Sequence, residues 1–113
     1  MSKIKIKIIL NEERFTYDGI KSKNTIKYKD KDMLVKIEIS NNITMIREND
    51  DYKLELIFNN NESRGSYYLK KYHKMIDIVV NTNQLEIGEN YIFINYKIED
   101  NEQFEFKLEY EAI

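Results

Sequence analysis

From Lys3 the chain alternates: Ile4, Ile6 and Ile8 fall on one side, Lys3, Lys5 and Lys7 on the other. A repeat of two residues is the signature of a half-buried β-strand. The same alternation returns almost to the end. Phe15 and Tyr17 are in phase, and Asp18-Gly19 after them reads as a turn. Ile26 and Tyr28 oppose Lys27 and Lys29; Met33, Val35, Ile37 and Ile39 oppose Lys36 and Glu38. Ile43 and Met45 form the next apolar set, followed by Tyr52, Leu54, Leu56 and Phe58. Gly65, Tyr67 and Leu69 share a side, as do Ile76, Ile78 and Val80. A short LEI run precedes Ile92, Ile94, Tyr96 and Ile98, and the chain closes on Phe104, Phe106, Leu108 and Tyr110 against Glu105, Lys107 and Glu109. Only SYYLKKYHKMI has any helical spacing, and its paired tyrosines and the β-branched run behind it favour strand.

The links between these runs are short and polar. Asn41-Asn42 separates two strands by two residues, and asparagine tolerates the positive φ of a tight hairpin. Asn59-Asn60-Asn61 and KKYHK supply two further loops. With no proline, turning falls to Asn, Asp and Gly. Gly65 stands inside a strand pattern, where glycine packs nothing, and predicts a bulge, a sharp bend or a close backbone approach. Consecutive strands with tight turns read as an antiparallel meander, all-β, in a single domain over residues 1–113. A meander this long either closes into a barrel or pairs as a sandwich; closure into a barrel of about eight strands removes the exposed edges and is the favoured reading.

Composition narrows the function. The 18 basic and 20 acidic residues give a net charge of −2 and are mixed along every strand. That is a solvated surface, without the clustered cations of a nucleic-acid face. Tyrosines interleaved with lysines at Tyr67, Tyr68, Lys70, Lys71 and Tyr72 have the ingredients of a single-strand platform, but not the surrounding charge. There is no cysteine, so no disulfide framework, thiolate nucleophile or Cys-zinc site is expected. Lysines interrupt the N-terminal isoleucines, and no run suits a signal peptide or membrane helix, so a cytoplasmic protein without membrane association is expected.

Candidate chemistry is sparse. His73, the only histidine, sits in a Lys/Tyr-rich turn with no partner at motif spacing, which reads as solvent-exposed or structural. Asp30/Asp32 and Asp50/Asp51 lack the spacing of a calcium loop and read as turn formers. The three glycines are too dispersed for a phosphate loop. No enzyme, metal or cofactor is expected. Arg47 shares the phase of Ile43 and Met45, so alternation aims it inward. A guanidinium held there needs a partner and could clamp a carboxylate or phosphate; the plainer reading is that at a strand end it snorkels out at the rim. Tyr28, Tyr67 and Tyr96 share inward phase and could offer phenols to a ligand, or be core tyrosines.

The succession VKIEISNNITMIRE, LELIF, GSY, VNT with Leu85 three residues on, INYKI and KLEY resembles the YwiB-like family, from about Phe15 to Tyr110. The matching positions are Gly19, Tyr28, Arg47, Phe58, the Gly65-x-Tyr67 pair, Thr82 with Leu85, and Tyr96. Departures lie in turns: Asn49 where the family tends to glycine, a longer KKYHK turn without glycine, and a shorter hairpin at Gly19. The resemblance implies a bacterial protein with a calycin-type, lipocalin-like barrel, and no established reaction. Together with the residues it favours a non-enzymatic barrel binding a hydrophobic or anionic small molecule through Arg47 and a tyrosine. The alternative is an interaction module with a solid core. A cavity open at one end of the barrel separates the two.

Overall fold

A computed structural model describes residues 1–60, 62–100 and 103–113. Ten strands follow one another: β1 Ser2–Leu10, β2 Glu13–Ser22, β3 Thr25–Asp30, β4 Met33–Ile39, β5 Ile43–Glu48, β6 Tyr52–Phe58, β7 Arg64–Leu69, β8 Lys74–Ile87, β9 Tyr91–Ile98 and β10 Gln103–Ala112. Each pairs antiparallel with its neighbours in sequence, and β1 pairs with β10, closing the barrel. The barrel has ten strands, where about eight were expected. No helix long and apolar enough to cross a membrane is found among the described residues.

Most of the alternating apolar residues turn inward as their phase requires, while Phe15 and Ile76 stay exposed. Ile6, Ile26, Val35, Ile37, Ile43, Phe58, Ile92, Ile94 and Leu108 are each at most 1% exposed and belong to one contiguous cluster. Exposure that low leaves no water-sized void beside them, so side chains fill the body of the barrel. The wall outside carries Lys5, Lys7, Lys27, Glu105, Lys107 and Glu109, all exposed.

The turns differ from expectation in their chemistry. Asn11 and Glu12 both take positive φ and close the β1–β2 hairpin in two residues, and Lys23, Lys31, His73 and Glu99 also turn with positive φ. Asn41 and Asn42 do not; Ile39 pairs with Ile43 around a three-residue link closed by Ser40 N donating to Asn42 O at 2.9 Å. Of the Asn59-Asn60-Asn61 loop, Asn61 lies outside the described residues.

Asp18-Gly19 is not a turn. β2 runs through it, with Gly19 opposite Ile4 on one side and Tyr28 on the other. A Cβ at Gly19 would lie 2.6 Å from both the Lys27 carbonyl and Ile6 Cδ1, so this is a point of close approach. Gly65 is not at a bulge either. Its pairing to Leu56 and Ile78 is in register and its φ is ordinary. A Cβ there would lie 2.8 Å from Leu56 and 3.1 Å from Val80, which reach over it from β6 and β8. The irregularity falls in β8, between Thr82 and Gln84 opposite β9. KMIDIVV and LEI are therefore one long strand, pairing first with β7 and then with β9.

Candidate functional site

The β1–β2, β3–β4, β5–β6, β7–β8 and β9–β10 turns all lie at one end of the meander, the mouth. Inward residues near that end include Arg47, Asp30, Phe15 and Tyr17, in phase with Met45, Tyr28 and Ile8. Arg47 faces Val35 of β4, which faces Tyr28 of β3; on the other side it faces Leu54 of β6, which faces Tyr67 of β7. Strict cross-strand register thus sets three of the four predicted site residues on one row around the wall. It also leaves Tyr28 and Tyr67 two strands from Arg47, about 10 Å in sheet spacing.

Arg47 is half-buried, and its Nη2 lies 3.2 Å from Asp30 Oδ2. Asp30 is therefore more than a turn former: it ends β3 in phase with Tyr28 and faces the guanidinium. Tyr17 completes the group. Its ring stacks on Tyr28 at 4.7 Å, and Phe15 stacks beyond it at 6.4 Å. Burial raises the Tyr17 pKa, and the negative charge of the Asp30 carboxylate raises it further, opposed by the positive field of Arg47. Burial pushes Tyr28 well above the ordinary tyrosine range, opposed by the positive field of Arg47. Tyr96 is raised by burial too, and again Arg47 opposes the shift. Both buried phenols therefore feel the guanidinium while staying protonated.

An open pocket of about 590 Å³ lies here, lined by Arg14, Phe15, Thr16, Tyr17, Asp30, Lys31, Asp32, Met33 and Arg47. Three cations and two carboxylates surround an aromatic and thioether floor. Tyr28 sits beneath this pocket, behind Tyr17. Tyr96 lies deeper, its ring between Phe58 at 4.7 Å and Phe104 at 5.3 Å, a core aromatic. Tyr67 packs on Tyr52 at 5.0 Å and does not line the pocket. Of the four candidates, only Arg47 lines it directly.

The mouth opens because β2 and β3 part. Their pairing ends at Gly19 and Tyr28, so residues 13–18 of β2 have β1 on one side and no β3 on the other. Phe15 and Tyr17 were visible in the sequence as an in-phase pair; Asp30 read there only as a turn former, and the gap that brings the three into a pocket was not visible.

His73 is exposed, turns the chain with φ 49°, donates its amide to Lys70 O at 3.3 Å and has its Nδ1 3.2 Å from Tyr68 Oη. Asp32 accepts from Asn49 Nδ2 at 3.3 Å, while Asn49 Oδ1 caps the amides of Asp51 and Tyr52. No group of three or more potential metal ligands occurs among the described residues. No protein-family model, curated protein or solved structure matches this chain.

Proposed function

We propose that the protein is a small-molecule binder whose site is the mouth of the barrel, with Arg47 as anchor for a ligand carboxylate or phosphate. The observation that carries this is the Arg47–Asp30 pair on an open, aromatic-floored pocket. Both side chains are about a third exposed, at 33% and 28%. A pair so placed contributes only about 0–1 kcal/mol. A ligand anion can therefore take over the guanidinium at little cost to the fold. Phe15, Tyr17 and Met33 supply the apolar contact that a planar or aliphatic ligand body needs.

The packed interior restricts this reading to the mouth: no lipocalin-like deep cavity is invoked. It also favours, as the second reading, an interaction module with a solid body. Kinship with the YwiB-like family and a cytoplasmic setting belong to the proposal, supported by the ordered positions named above and the cysteine-free composition. The test is native mass spectrometry of protein purified from its own host. A retained anionic small molecule, lost from Arg47→Ala, supports the binder. Protein bare in both forms, yet co-purifying with a stoichiometric partner, supports the interaction module.

A further inference from the structure

The parted strands leave backbone groups as well as side chains at the mouth. Ile113 N donates to Lys3 O, and Asn11 N to Glu105 O, so the odd-numbered residues of β1 direct their amides and carbonyls toward β10. Its even-numbered residues therefore turn toward β2, where Ile6 faces Tyr17, Ile8 faces Phe15 and Leu10 faces Glu13. Those three partners aim their backbone groups back at β1. Arg14 and Thr16 between them aim theirs the other way, across the gap where β3 would continue. Both residues are exposed, and both line the pocket that holds Arg47. An unpaired strand edge is a template for another strand. Here the edge, the guanidinium and the aromatic floor converge on one opening.

We infer that the ligand of this mouth is an extended peptide ending in a free carboxylate, whose last residues add as a short strand to the Arg14–Thr16 edge while the carboxylate displaces Asp30 from Arg47. The inference rests on the mouth being the binding site and names the ligand class. Strand addition supplies main-chain hydrogen bonds without regard to sequence, and alternate side chains then read the pocket. A residue whose side chain turns into the barrel meets Phe15, Tyr17 and Met33, so an aliphatic or aromatic terminal residue is preferred. Arg14, Lys31 and Arg47 outnumber Asp30 and Asp32 around the opening, which suits the negative end of a chain. A small carboxylate engages Arg47 alone; a peptide engages Arg47 and the edge together.

The experiment uses the full chain and three probes: a mixed library of N-acetyl tetrapeptides with free C-termini, the same library as C-terminal amides, and 3-phenylpropanoate. Retention is read by mass spectrometry, and the best free-acid peptide is then titrated. That peptide should bind at least tenfold tighter than its amide and tighter than 3-phenylpropanoate. Thr16→Pro removes the outward amide without touching the pairing to β1, and Pro is tolerated at an open edge. It should weaken the peptide at least tenfold and leave 3-phenylpropanoate unchanged. Arg47→Met should weaken both. Binding of 3-phenylpropanoate with no gain for any peptide overturns the peptide inference and leaves the mouth as a small-acid site. Absence of binding by every probe overturns both. Self-association of the chain, blocked by Thr16→Pro with no peptide retained, assigns the edge to a second copy and overturns the inference.

Discussion

The guanidinium of Arg47 is the residue on which the functional reading turns. Its inward phase was legible from Ile43 and Met45; its partner was legible only in part, since Asp30 shares the phase of Tyr28 but also sits at a strand end beside Asp32. Phase says which side a residue faces and not how far away the next strand's side chains lie. Arg47→Ala should therefore leave the melting midpoint close to that of the natural chain. An anion held through it should lose about 2–5 kcal/mol of affinity, read by calorimetric titration. Asp30→Asn should act oppositely, freeing the guanidinium and tightening the same anion. The phenols give a pH signature. Tyr28 and Tyr96 both carry folded pKa values raised from the ordinary 10.0, chiefly by burial. Such a group adds stability that is complete below pH 10 and is lost as pH climbs from there toward the folded value. Urea midpoints measured on the alkaline side of pH 10 should fall steeply, and Tyr28→Phe should flatten that fall.

Among the elements, strand identity was readable almost throughout because most strands have one wet and one dry face, while β2 and β8 bury little or nothing. The exceptions are places where pairing, not composition, decides. Asp18-Gly19 has turn chemistry, yet β2 passes through it because Gly19 lets Ile6 and the Lys27 carbonyl close in. Of the readings open at Gly65, the structure has the close approach, within a regular ladder, and the irregularity appears instead in the polar Thr82-Asn83-Gln84 segment. Asn83 is the residue that drops out of the ladder there, while Thr82 stays opposite Tyr96 with its Oγ1 2.6 Å from Ser63 Oγ. The two glycines should respond differently to substitution. At Gly65 the obstructing atoms nearest the new Cβ are the ends of Leu56 and Val80, which can shift; Gly65→Val should cost about 1–3 kcal/mol in denaturant unfolding. At Gly19 one obstruction is a backbone carbonyl that cannot move without breaking the β2–β3 ladder. Gly19→Ala should accordingly destabilise more than Gly65→Ala.

For the molecule as a whole, the alternation running to the last strand pointed to closure, and β1 does meet β10 from Ile4 opposite Ala112 to Leu10 opposite Phe106. What it could not convey is how ten strands fill their interior. An eight-stranded barrel is already just wide enough to pack. This one measures 39 × 31 × 26 Å overall, and Leu56 and Val80 close over Gly65. Nor could it convey the gap between β2 and β3, which depends on where two distant registers run out. The body is thus a solid support, and the proposed recognition falls to the mouth. Backbone amide chemical shifts followed during titration with 3-phenylpropanoate test that assignment directly. Movement is expected at Arg14, Phe15, Thr16 and Tyr17, at Asp30 through Met33, and at Arg47, abolished in Arg47→Ala. Shifts confined to the outer groove of β8, β9 and β10 around Gln84, Glu86 and Phe93 would contradict it, as would none at all.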